Sequence, residues 1–161
     1  MPGAISPYTP EAVFILISIP INIIMAYIPW VIALFGHLGI KTTYDNANPR
    51  LYLASLENDA LSGNSSSLFT LRAQACHYNS LEDVACWSAA PIIALLFSGI
   101  PKMALSLTAI HLGLRFFYIL VYCFNGNKTV SYLRTLLFWC AWVCPLIILF
   151  ECTSEIGLIS V

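Results

Sequence analysis

Charge is what this sequence has least of. Of its 161 residues only 9% are Asp, Glu, Lys or Arg, seven basic against eight acidic, for a formal net charge of −1. Soluble domains carry roughly a quarter charged residues, so a soluble chain of this size would not cover its surface. A basic footprint is missing as well, which excludes nucleic acid as a partner. There is no Gly-rich phosphate loop, no internal repeat, no low-complexity tract and no Cys-x-x-Cys pair, so the usual nucleotide and metal-site signatures are absent. The N-terminal stretch "MPGAISPYTPEAVF" lacks the basic n-region of a cleavable signal peptide. The apolar run behind it is also too long for one, so the first segment is read as retained.

What is there is hydrophobic: 59% of the residues, with a mean hydropathy of +0.81. That is the composition of an integral membrane protein, and the length allows one domain, residues 1–161. Four apolar segments predict helices over about 12–36, 68–99, 102–124 and 130–152. The first, Ala12–Gly36, holds no charged residue and is long enough to cross a hydrocarbon core of about 30 Å. Pro20 and Pro29 predict kinks in it, with the freed carbonyls met by neighbouring helices. The apolar part of the second runs Val84–Ile100. The third, Met103–Phe124, carries His111 and Arg115, and the fourth, Ser131–Phe150, carries Arg134. Residues 37–67, including the Ser-rich "SGNSSS" at 62–67, read as a long flexible loop, 125–130 as a short one and Gly99–Pro101 as a turn. Short connections make neighbouring helices antiparallel, so the expected fold class is all-α, an integral membrane four-helix antiparallel bundle.

Lys41, Arg50 and Lys128 fall in the first and third loops, against Lys102 alone in the turn after the second helix. The positive-inside bias places those two loops in the cytosol and both termini on the far side. Sequons at Asn64 ("NSS") and Asn127 ("NKT") lie in the same two loops and are then never glycosylated. The six cysteines, Cys76, Cys86, Cys123, Cys140, Cys144 and Cys152, sit in or beside apolar segments and read as small hydrophobes, with no metal site.

One stretch breaks the apolar pattern. "RAQACHYNSLEDVACW", residues 72–87, gathers Arg72, His77, Asn79, Glu82 and Asp83 where a membrane segment begins. At roughly 100° per residue, Arg72, Asn79, Glu82 and Asp83 share about a third of the helix circumference, while His77 lies about 140° from Arg72. Such a stripe cannot face lipid and must face the bundle interior, a subunit interface or a water-filled cavity. On the third helix Arg115, Tyr118 and Tyr122 share a face at i, i+3, i+7, and Arg134 sits one turn into the fourth. In the topology above these groups gather near the cytosolic ends of three helices. They would line a cationic, phenol-walled cavity suited to a small anion with several carboxylates. The plainer alternative is that ion pairs such as Arg115–Glu82 lock helices together and the tyrosines form an interfacial belt.

"YDNANPR" at 44–50 followed by "RAQACHYNSLE" at 72–82 resembles the signature of the MAPEG superfamily, the membrane-associated proteins in eicosanoid and glutathione metabolism. "RFFYILVY" at 115–122 and "YLRT" at 132–135 resemble the family's third and fourth helices, and the loop is more similar to the short bacterial and fungal branch. The resemblance covers roughly residues 10–155. It implies a homotrimer of four-helix protomers binding glutathione as co-substrate between subunits near the cytosolic face. Asn79 and Glu82 match second-helix residues that contact glutathione, Tyr118 and Tyr122 match third-helix positions lining that site, and Arg115 matches an arginine of the polar interior. Arg134 matches the arginine that stabilises the glutathione thiolate, and is the expected catalytic residue. Arg72 matches an arginine that is structural or tripeptide-binding.

A free thiol near pKa 8.5 is mostly protonated at neutral pH, and a neighbouring guanidinium favours the nucleophilic thiolate. The resemblance therefore implies a membrane-embedded transferase or peroxidase acting on lipophilic electrophiles or lipid hydroperoxides that arrive from the bilayer. The membrane is endoplasmic reticulum or another endomembrane for a eukaryotic chain, and the inner membrane for a bacterial one. Three features depart from the family pattern: "DVACW" at 83–87 in place of an aromatic or proline-rich run, Phe138 where some members have a tyrosine, and a long "LENDALSGNSSS" segment. The family also includes a member that binds and presents lipid without catalysis, so a non-catalytic lipid-binding or scaffold protein is the alternative.

Overall fold

The computed structural model describes residues 9–38, 40, 45, 47–98 and 103–155. They form α1 (Pro10–Leu38), α2 (Pro49–Leu61), α3 (Ser65–Ile93) continuing into a π-helical turn (Ala94–Ser98), α4 (Ala104–Phe124) and α5 (Lys128–Glu155), with no strand among the described residues. The four long helices lie within a few residues of their expected limits. The Gly99–Pro101 turn, Lys41 and Lys102 lie outside the described residues.

The region expected to be a long loop is the main departure, because it contains α2. Local chemistry starts that helix. Asp45 Oδ1 accepts from Ala47 N at 2.8 Å and Asn48 N at 3.2 Å, Asn48 occupies the cap position, and Pro49 follows with its φ already helical. The donors around Asp45, the Asn48 side chain first among them, hold its carboxyl below the usual aspartate range. Tyr52 and Leu56, one turn apart, are buried, and the Tyr52 hydroxyl hydrogen-bonds His37 Nδ1 at the end of α1. Nor is all of "SGNSSS" a loop. Gly63 takes φ +94° to turn the chain, a conformation that favours glycine. Asn64 then caps α3, its Oδ1 accepting from Ser66 N and Ser67 N, so the serines form the first turn of a helix.

α1 packs along α3, and α4 along α5, while α3 also touches α2, α4 and α5. The buried face of α1 (Ala12, Ile15, Ser18, Asn22, Ala26, Pro29, Ala33) recurs at three- and four-residue steps. Gly36 allows the closest approach: a Cβ there would stand 2.4 Å from Thr70 Oγ1. The opposite faces are apolar and bare, with Ile24, Phe35, Leu96, Trp139 and Phe150 all more than half exposed. So much exposed hydrocarbon is a lipid-facing surface. Three helical stretches, Pro10–His37, Ala104–Phe124 and Thr129–Ser154, are long and apolar enough to cross a membrane. α3 is as long as α1, but its polar residues keep it out of that set.

Three apolar clusters form the core, a small one of Ile40, Tyr52 and Leu56 under α2 and two larger ones among the long helices. Of the larger two, one holds Ile15, Trp87, Leu107, Cys144 and Ile148, the other Met25, Cys76, Tyr118, Ile119 and Cys123. Between them, at mid-height of the helices, lies a polar layer of Asn22, Asp83, His111 and Arg115, all buried. Prolines shape this layer. Pro145 of α5 lacks the N–H that would bond Ala141 O, and His111 Nδ1 of α4 donates to that oxygen at 3.1 Å. The six cysteines are free: Cys76, Cys123, Cys144 and Cys152 are buried, Cys86 is half-buried and Cys140 exposed.

Candidate functional site

The site is built in levels descending from the end where α3 begins, α4 ends and α5 begins. At the mouth, Arg72 of α3 and Arg134 of α5 line a cavity of about 190 Å³ with Asn125, Gly126, Asn127 and Ser131. Gly126 makes room for the arginine, since a Cβ there would sit 2.9 Å from Arg72 Nη1. Arg72 Nε is buried without a hydrogen-bond partner. Asn127 Oδ1 accepts from Thr129 N at 3.0 Å, which starts α5 nearly two turns ahead of Arg134.

One level down, Asn79, Tyr118, Tyr122, Arg134, Thr135 and Phe138 enclose a second cavity of about 200 Å³. Arg134 is its shared wall with the first. Its guanidinium carbon lies 4.2 Å from the centre of the Tyr122 ring, and its Nη2 donates to Ser131 Oγ at 3.0 Å. The contact is a cation–π one, in which the ring face attracts the charge without neutralising it. Tyr118 and Tyr122 meet edge to face with centroids 5.4 Å apart, and the Tyr118 hydroxyl accepts from Asn79 Nδ2 at 3.0 Å.

Beneath Tyr118 lies Arg115, 1% exposed. Its Nε donates to Asp83 Oδ2 at 3.2 Å, and its Nη2 to Ser80 Oγ at 3.0 Å with a longer approach to Asn79 O at 3.5 Å. The guanidinium carbon is 4.6 Å from the Tyr118 ring centre. Asp83 Oδ2 also accepts from Asn22 Nδ2 at 3.0 Å and faces His111 Nε2 at 3.3 Å. Trp87 stacks on His111, with centroids 3.9 Å apart and planes 8° from parallel, and donates from Nε1 to Ser18 Oγ.

The expected residues thus fall into three groups. Asn79, Tyr118, Tyr122 and Arg134 line one cavity, and Arg72 joins Arg134 in the adjoining one. Arg115 lines neither and holds the floor from below. Glu82 stands apart, exposed on the outer flank of α3. The Arg115–Glu82 pair considered from the sequence is replaced by Arg115–Asp83. The helical wheel explains the exchange: the buried face of α3 centres on Ala73, Cys76, Ser80, Asp83 and Trp87, and Glu82 lies about 100° from Asp83. For the same reason His77, read as off the stripe, is buried at the other edge, where its Nδ1 donates to Ala26 O at 2.7 Å. Asp83, His111 and Asn22 were not expected in this arrangement. Among the described residues no group of three or more His, Cys, Asp or Glu is placed to hold a metal ion.

The MAPEG family model matches residues 15–153, from the first turns of α1 to the end of α5. No curated protein and no solved structure matches the chain.

Proposed function

The chain belongs to the MAPEG family, and from that premise we propose that it is a multi-pass membrane protein that binds glutathione as a co-substrate. The thiol is delivered to a lipophilic electrophile or a lipid hydroperoxide. Sites for small molecules occupy roughly 300–1,000 Å³. Neither cavity alone reaches that size; the two, on either side of the Arg134 side chain, reach it only together. The tripeptide lies across both, its carboxylates toward the mouth with Arg72, Asn125 and Asn127, its thiol near Arg134 and Tyr122. A homotrimer accounts for Glu82, which a neighbouring subunit's ligand would meet on the outer flank of α3.

The observation that carries this reading is the placement of Arg134, which walls both cavities and keeps its full charge because its partners are a ring face and a hydroxyl. A carboxylate partner would have spent that charge. An arginine is protonated at any physiological pH, so it stabilises a thiolate without acting as a base. The proton leaves to water through the mouth. The apolar substrate enters laterally, past Phe138 and Thr135, from the lipid-facing side of α5.

The test is the ultraviolet thiolate absorbance on adding glutathione to purified protein, in wild type and Arg134→Ala. The reading expects a saturable signal that the substitution removes; identical flat traces would overturn it. A second reading, a lipid-binding or scaffold protein without catalysis, draws on Phe138 and on Glu82 standing outside the cavity. It expects saturable binding of an apolar ligand and no turnover with generic electrophiles or hydroperoxides.

A further inference from the structure

The polar layer lies under the cavities and lines neither, and three of its buried polar atoms, Asp83 Oδ1, His111 Nε2 and Arg115 Nη1, have no hydrogen-bond partner. Asp83 is 1% exposed, in the middle of the apolar core; its Oδ2 accepts from Asn22 Nδ2 of α1 and Arg115 Nε of α4 and lies 3.3 Å from His111 Nε2 of α4. A buried carboxylate in that position is expensive, and helices of this apolarity pack without it. What distinguishes it is where its partner leads. Arg115 spends Nε on Asp83, and the rest of the same planar fork reaches Ser80 Oγ and the Asn79 carbonyl, while its face lies under the Tyr118 ring. Tyr118 in turn holds the Asn79 amide, and both line the cavity.

We propose that Asp83 is a positioning residue. Its carboxylate fixes the rotation of the Arg115 guanidinium, and through it the seats of Tyr118 and Asn79, so that the cavity floor is set by a charge a full layer below it. Because Asn22 of α1 and Arg115 of α4 both donate to the carboxylate, the floor is referenced to α1 and α4 together and not to α3 alone. A guanidinium is rigid and planar, so losing one anchor lets all its other contacts pivot. The ligand named for this floor, glutathione, rests on the function proposed above; the geometric claim about Tyr118 does not.

The experiment places 3-fluorotyrosine at position 118, with a control at the exposed Tyr132, and reads the fluorine resonance in detergent-solubilised wild type and Asp83→Asn. The expected result is a shifted or broadened Tyr118 resonance with Tyr132 unmoved, and in the unlabelled protein glutathione binding about tenfold weaker, the size of one lost charge-assisted hydrogen bond. A purely structural carboxylate would lower thermal stability and leave the Tyr118 resonance where it was, and that result overturns the proposal. Should Asp83→Asn not fold, Asn22→Ala removes one support of the carboxylate and leaves the ion pair. The Tyr118 resonance then moves in the same direction and by less, and an unmoved one is again decisive against. Wild type that binds no glutathione sinks the glutathione reading alone, since the resonance still decides the role of Asp83.

Discussion

Arg134 rests on the face of the Tyr122 ring, 4.2 Å from its centre, and neither residue has a carboxylate beside it in its cavity. The ring orients the guanidinium and leaves its charge available. The hydroxyl of Tyr122 is therefore secondary to its π-face. Tyr122→Phe is expected to keep the glutathione thiolate signal close to wild type. Tyr122→Leu removes the ring and is expected to weaken it about 2- to 30-fold, the range of a cation–π contact worth about 0.5–2 kcal/mol. Titrating the absorbance with glutathione for the three proteins checks this, and equal losses in Phe and Leu would show that the hydroxyl is the working group.

The close approach of α1 to α3 at Gly36 makes a second prediction. Gly36→Ala drives a methyl into Thr70 Oγ1, an overpacking expected to cost about 1–3 kcal/mol. Thr70→Ala removes the clashing oxygen and leaves Phe69 Cδ1 at 3.3 Å, the end of a side chain that can shift, and the residue-70 Cβ at 3.4 Å as the nearest atoms. The double variant is expected to recover most of the loss in thermal unfolding in detergent. Strictly additive destabilisation would mean the helices are not held at this distance.

At the start of α3, Asn64 Oδ1 accepts from two backbone amides. Asn64→Ala is expected to destabilise by about 1 kcal/mol, and Asn64→Ser, which can still cap, by much less. The same residue begins a sequon, as does Asn127. With the orientation proposed from Arg50 and its neighbours, expression in a glycosylating host leaves both unmodified, and a mass shift at either would invert the topology.

Asp45 supplies a pH signature outside the membrane spans. Asn48 Nδ2, Ala47 N and Asn48 N all donate to its carboxylate, which depresses its folded-state pKa, the Asn48 side chain contributing most. Since the folded value is the lower one, the contribution to α2 is fully present above the range in which an unfolded aspartate titrates. It fades as pH falls through the folded value, below about 4. Amide protection factors at Ala47 and Asn48 are expected to decline across that window in wild type and to be low and flat in Asp45→Asn. A wild-type profile as flat as the variant's would remove the carboxylate from the cap.

Most of the long helices were legible because twenty-residue apolar runs have one common solution in a bilayer. The site was legible in part. Arg115 and Tyr118 share a face by spacing alone, and Asn79 reaches them because it lies on the inward side of α3. Two things were not. α2 is short and its apolar content is ordinary, so its two buried residues, Tyr52 and Leu56, carry little periodicity. The signal that could have found it is "NPR", a cap followed by proline, after an aspartate. The choice of Asp83 over Glu82 as partner of Arg115 depended on where α3 turns its buried face, and adjacent residues on a helix point about 100° apart. Asn22 could not be assigned a partner at all, because which residues of two helices meet at one depth is decided by packing and not by either segment alone.

The gap that Pro145 leaves in the α5 hydrogen-bond ladder is filled from another helix, by His111. The imidazole thereby acts as a pin through a hinge. The half of α5 bearing Arg134 cannot swing about the proline unless the pin is withdrawn from Ala141, and withdrawing it also drags on Asp83 and stacked Trp87. In the proposed reaction, an apolar molecule entering beside Phe138 would meet a wall braced at its pivot, and would be admitted by rotating side chains at the rim and not by a gate opened by bending the helix.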